Sequence, residues 1–157
     1  MRYTVVGVVA LVVAGGLAEG ARAHAHGHQA PDFLVALSAQ VATGNCDARP
    51  AGASYVRTTR QAAETLASGD RVDSEMPAYL VLLRGDFVAH YAHGVYRRSD
   101  PFPSGTVITF TVDIKTRKIF DFGIGTRAPH LARLGPVHRF TAAVRKVATH
   151  LPLAPLC

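Results

Sequence analysis

The sequence predicts an α+β fold in which one helix packs on an antiparallel β-meander, with a further helix flanking the domain at each end. Three observations carry this. Residues 107–112 alternate Val107, Thr109 and Thr111 against Ile108, Phe110 and Val112, a period of two. Residues 118–124 repeat the pattern with Ile119, Phe120, Phe122 and Ile124 after a tight turn over 113–117, which makes the two strands a hairpin. Ala62, Ala63, Leu66 and Ala67 recur at helical spacing, so this helix has one face to bury.

The elements follow in chain order. Arg2 precedes an apolar run over residues 5–13, interrupted only by Gly7, and Glu19 and Gly20 end its weak extension over 14–17. A charged start, a short apolar stretch and small residues at the end form the pattern of a cleavable secretory signal. A membrane span needs about 20 apolar residues, so an uncleaved anchor is the lesser reading. Ala21-Arg22-Ala23 and Ala23-His24-Ala25 are two overlapping cleavage sites. The expected organisation is therefore a signal peptide at 1–23, a disordered lead-in at 24–31 and a single α+β domain at 32–157. The expected location is outside the cell.

Phe33, Leu34, Leu37 and Val41 recur at helical spacing behind Asp32, a candidate N-cap, and Gly44 is placed to close this first helix. A loop with Cys46, Pro50 and Gly52 is expected next. Thr58 and Gln61 fit a capping box for the helix over 62–67, and Gly69 stands where a C-cap glycine belongs. Residues 79–83 read as a strand that continues through 87–91 beyond a bulge at Gly85. The hairpin comes next. Phe140, Val144, Val147 and Leu151 then mark an amphipathic C-terminal helix stopped by Pro152.

Loss of Arg2, Arg22 and Glu19 with the signal takes the 17 Lys/Arg and 11 Asp/Glu of the full chain to 15 and 10. The exported domain stays basic, which favours anionic surfaces without naming one. No acidic residue follows Asp121, whereas Arg127, Arg133, Arg139, Arg145 and Lys146 all do. Arg139, Arg145 and Lys146 are the candidate anion-binding residues, on or beside the last helix and off its apolar stripe. The competing reading packs that helix on the sheet and leaves its charges solvated. Cys46 and Cys157, the two cysteines, both lie in the exported part, and an oxidising compartment favours a disulfide between them.

Signals for catalysis are absent. No serine lies in a G-x-S-x-G elbow, and Asp121-Phe122-Gly123 lacks the other kinase motifs. Arg84-Gly85-Asp86 matches an adhesion tripeptide, but its place between two apolar strand segments fits a bulge better. His90 and His93 would point to opposite faces of a strand. Asp113 and Asp121 read as turn and strand-end residues.

Leu82-Leu83-Arg84-Gly85-Asp86-Phe87, Gly105-Thr106-Val107, Val112-Asp113 with Thr116, Asp121-Phe122-Gly123 and Leu134-Gly135-Pro136-Val137 carry a resemblance over about half of the chain. It is to small secreted actinobacterial proteins of unassigned function, whose helix and meander are similar to PepSY and cystatin-like domains. Arg117 stands where the PepSY-like hairpin has glycine. The resemblance implies binding or inhibition of a secreted partner rather than catalysis.

The expected function is that of a secreted, non-enzymatic binding or inhibitory domain, with an unidentified protein or an anionic wall polymer as partner. Sequence-specific nucleic-acid binding is not expected, nor a transmembrane segment in the mature form. No cofactor is required. The alternative is extracellular copper or nickel binding through His24, His26 and His28: either cleavage leaves a free amine with histidine at position three, and the amine, two amides and an imidazole form the square-planar nitrogen set that Cu(II) and Ni(II) prefer.

Overall fold

The computed structural model describes residues 29–89 and 102–157. Residues 1–23, expected as a signal peptide, His24, His26, His28, His90, His93 and the far end of the strand expected at 87–91 lie outside the described residues. The described chain runs α1 (Asp32–Gly44), β1 (Gly52–Thr59), α2 (Arg60–Ala67), β2 (Pro77–Val88), β3 (Ser104–Asp113), β4 (Ile119–Gly125), a 3-10 turn (Leu131–Arg133), β5 (His138–Arg139) and α3 (Thr141–Ala148). The α+β class is as the sequence predicts. The strands form one antiparallel sheet in the order β4-β3-β2-β1-β5. Four consecutive strands are the meander, α2 is inserted between the first two, and β5 returns to pair with β1.

Alternation along the strands sends side chains to two cores. Tyr55, Val81, Leu83, Phe87, Ile108, Phe110 and Val112 face α1 and α3, where Leu34, Ala39, Ala42, Phe140, Val144 and Ala148 meet them. Val56, Leu80, Leu82 and Val107 face the other way, against Ala63 of α2 and Leu131 of the 3-10 turn. Full burial of a Val, Leu, Ile or Phe side chain contributes about 1.5–3 kcal/mol, so both faces stabilise the sheet. The arrangement is thus three layers. The helix predicted to pack on the meander covers one face, and the two flanking helices together cover the other.

Several local expectations change by a residue or two. Ala30, placed by sequence in the disordered lead-in, is buried within the α1/α3 core. Asp32 is the first helical residue rather than the cap, because the Pro31 carbonyl already accepts from the Leu34 and Val35 amides. Thr58 belongs to β1, opposite Ala78, and the cap of α2 is Thr59, whose hydroxyl accepts from the Ala62 amide at 3.3 Å. Gly69 does close α2, at φ 83, with its amide on the Glu64 carbonyl. The segment read as a loop around Gly52 opens β1, an interior strand of the sheet.

The bulge at Gly85 is present between Arg84 and Phe87. A Cβ there would collide with the Asp47 carboxylate, which accepts the Asp86 amide at 3.2 Å, so Arg84-Gly85-Asp86 is built into the fold by its backbone. Asp47 stands next to Cys46, which is bonded to Cys157 with a Cα–Cα separation of 5.4 Å. This bond ties the last residue to the end of α1, where the Ala154 amide also donates to the Thr43 carbonyl.

At the β3–β4 turn the Asp113 carboxylate accepts from the Lys115 and Thr116 amides and the Thr116 hydroxyl, at 2.7, 3.2 and 2.7 Å. The Thr116 hydroxyl, with these amides, holds Asp113 below the usual carboxylate range. Asp113 is therefore a turn-forming residue, as its position suggested. Among the described residues no helix is long and apolar enough to cross a membrane.

Candidate functional site

A basic cleft lies where β5, β1 and β2 run side by side. Ser54 pairs with Arg139 on one side and Leu82 on the other, and Gly52 pairs with Arg84 one rung further along. The period of two therefore puts Ser54, Leu82, Arg84 and Arg139 on the same face of the sheet, the face that also carries Val56 and Leu80. The chain from Pro129 to Ala132 passes over this face and forms the roof, held by the buried side chain of Leu131. Val137 completes the apolar wall.

The resulting cavity is about 400 Å³ and brings Arg84, His130 and Arg139 around Ser54 and Leu82. It continues into a recess of about 270 Å³ floored by residues 51–53 and bordered by Thr141, with Ser54, Leu82, Arg84 and Arg139 common to both. Among the described residues, no acidic side chain lines either part. Arg84, His130 and Arg139 are exposed. Among the described residues, neither guanidinium is engaged by an ion pair, hydrogen bond or aromatic ring; the one salt bridge is between Arg60 and Glu64. A planar guanidinium presents a fork of donors that fits carboxylate or phosphate oxygens two at a time. Two such forks on the strands that flank β1, with the Ser54 hydroxyl and the His130 ring nearby, can hold one multivalent anion or two successive anionic groups of a chain.

The three sequence-predicted anion residues do not act together. Arg139 belongs to β5 rather than the helix and is one wall of the cleft. Arg145 reaches from α3 to the carbonyls of Pro50 and Ala51, its Nε at 2.7 Å and an Nη at 3.2 Å, so it fastens the loop before β1 to the last helix. Lys146 lies in the opposite layer, beside an apolar groove lined by Gln29, Val35, Val147 and His150. The apolar stripe of α3 is spent on the core, where Val144 and Ala148 are fully buried. Arg84 and His130 join the site although sequence reading passed over them. Arg84 was visible only inside its tripeptide, and His130 reaches the cleft through a loop that no local pattern places.

The predicted metal ligands His24, His26 and His28 lie outside the described residues. Among the residues described, no group of three or more His, Cys, Asp or Glu side chains is placed to hold a metal ion. Compared with known protein families, curated proteins and solved structures, the chain shows no match.

Proposed function

We propose that the protein is a secreted, non-enzymatic binding domain that recognises an anionic partner through the cleft between β5, β1 and the 3-10 turn. The observation that carries this reading is the convergence of Arg84 and Arg139, both unengaged among the described residues, in a cavity whose described lining has no acidic side chain. The apolar wall of Leu82, Leu131 and Val137 lowers the local dielectric and strengthens a charge-assisted hydrogen bond made there. The basic balance of the exported part, 15 Lys/Arg against 10 Asp/Glu, draws an anionic surface toward it before the cleft engages. The disulfide fits an extracellular location, and the resemblance to PepSY-like modules favours binding over catalysis. The partner chemistry is a run of phosphate or carboxylate groups, as on an outer-surface polymer.

Calorimetric titration of the purified protein with tripolyphosphate, and in parallel with polyglutamate, tests this and separates phosphate from carboxylate preference. A hydrogen bond to a charged group is worth about 1.5–3 kcal/mol, so replacing Arg84 and Arg139 together by alanine is expected to weaken binding by roughly a hundredfold or more. Lys146→Ala, on the other face, leaves it unchanged. Equal losses in both variants, or no loss in either, would remove the reading.

A further inference from the structure

A second group of polar side chains sits beneath α2, and nothing in the anion cleft uses it. Glu64 points from α2 into the sheet and is 2% exposed. Thr111 of β3 lies under it with no exposure, and Asp121 of β4 is the residue paired with Thr111. Pairing with Thr111 puts Asp121 on the same face of the sheet, beside the Glu64 carboxyl. Arg60, one turn earlier on α2, brings its Nε to 3.9 Å from Glu64 Oε1. Its guanidinium is also drawn over the Phe120 ring at 4.4 Å. Arg60, Thr111 and Asp121 are the polar groups that face the Glu64 carboxyl from α2, β3 and β4. Arg60 Nε, Glu64 Oε1 and Thr111 Oγ1 are all buried without a well-formed hydrogen bond.

We propose that the buried Glu64 carboxyl holds a proton beneath α2, and that its loss loosens α2 and, through it, the roof of the anion cleft. A carboxyl buried with one of its oxygens unmet resists ionisation, because the charged form loses its hydration. Once Glu64 ionises, its charge sits in a region of low dielectric beside the Asp121 side chain, and a single guanidinium partly committed to Phe120 offsets it incompletely. Burial first, and then the Asp121 carboxyl, push the Glu64 side chain up to about 7, against the opposing pull of Arg60. The proton is therefore exchanged close to neutral pH. The element that responds is short: α2 spans eight residues, of which only Ala63 and Glu64 are fully buried.

The coupling to the cleft runs through packed side chains. Leu66 and Ala67 of α2 belong to the same apolar cluster as Leu131 and Leu134. Leu131 and its neighbour His130 are the roof over Arg84 and Arg139. An α2 that lifts from the sheet removes one side of the support beneath that roof. This last link rests on the proposed anion-binding function, whereas the proton latch itself does not.

Amide hydrogen exchange, corrected for intrinsic rates and without ligand, tests the latch. Between about pH 6 and about pH 8.5, protection over residues 60–67 is expected to fall roughly tenfold or more relative to that over 32–44. Glu64→Gln keeps the shape of the protonated side chain and should abolish the fall. Asp121→Asn, at a half-buried position, removes the like charge and should reduce it. Identical pH profiles in the native protein and both variants would overturn the proposal. Titration with tripolyphosphate tests the coupling: Glu64→Gln should bind several-fold more tightly than the native protein at about pH 8.5 and equally at about pH 6. Equal binding at both pH values overturns the coupling. A pH-dependent α2 with no tripolyphosphate binding in either protein supports the latch and overturns the anion-cleft reading instead.

Discussion

Arg117, held at φ 61, lays its guanidinium 5.1 Å from the centre of the Phe33 ring. The β3–β4 turn requires a left-handed residue there, and a non-glycine residue pays roughly 1–2 kcal/mol for it. Placing the cation over the ring of α1 recovers about 0.5–1 kcal/mol and locks the hairpin onto the helix layer. Arg117→Ala keeps the strain and loses the contact, so it should lower unfolding free energy by about 0.5–1 kcal/mol. Arg117→Gly loses the contact but relieves the strain and should be neutral or slightly stabilising. Chemical denaturation of the two variants checks the order, in which alanine must be the less stable.

The Glu64 contribution to stability is expected to fall as pH rises from about 4.5 to about 7. Its carboxyl is pushed from 4.5 to about 7 in the folded protein, so between those values the folded state holds a proton that the unfolded state has released. Each step up in pH within that window then favours unfolding. The full shift corresponds to about 3 kcal/mol, present below the lower value and lost above the upper one. Denaturation midpoints should decline across this window in the native protein and decline less in Glu64→Gln. A parallel decline in both would assign the pH dependence to other groups.

The Cys46–Cys157 bond closes a separation of 111 residues. In the chain-entropy account a loop of that size contributes up to about 4.7 kcal/mol. Reduction should therefore lower the melting temperature markedly, and loosen first the segment after Pro152 that the bond ties to α1. Non-reducing peptide mapping should recover the two cysteines in one linked fragment.

The hairpin was legible because bulky side chains on both strands mark the period of two, and Asp113 with Thr116 marks the turn. Strand β1 was not. Gly52, Ala53 and Ser54 are small, and the alternation that Tyr55 and Val56 begin is cut short by Arg57 and two threonines. Its identity comes from Val81 and Leu83 across the register, which is tertiary information. Thr58 and Thr59 are chemically equivalent caps and both pair with β2; the helix starting at Arg60, with the Ala62 amide on the Thr59 hydroxyl, decides between them. The cleft was legible only in Arg139. Arg84 joins it through pairing of β2 with β1, and β5 is two residues long, too short to show any period. Glu64 and Asp121 stand 57 positions apart and meet only because α2 folds over β4's neighbour. The competing reading, in which the last helix packs on the domain, holds for its apolar stripe, with Val144 and Ala148 fully buried.

The most direct test of the anion cleft is residue-resolved nuclear magnetic resonance of the protein titrated with tripolyphosphate, following backbone amides and arginine side chains. The account predicts saturable shifts centred on Ser54, Arg84, His130 and Arg139, weakened by added salt, with Lys146 and His150 unmoved. Shifts centred on Lys146 and His150, or spread evenly over every exposed arginine without saturation, would contradict it.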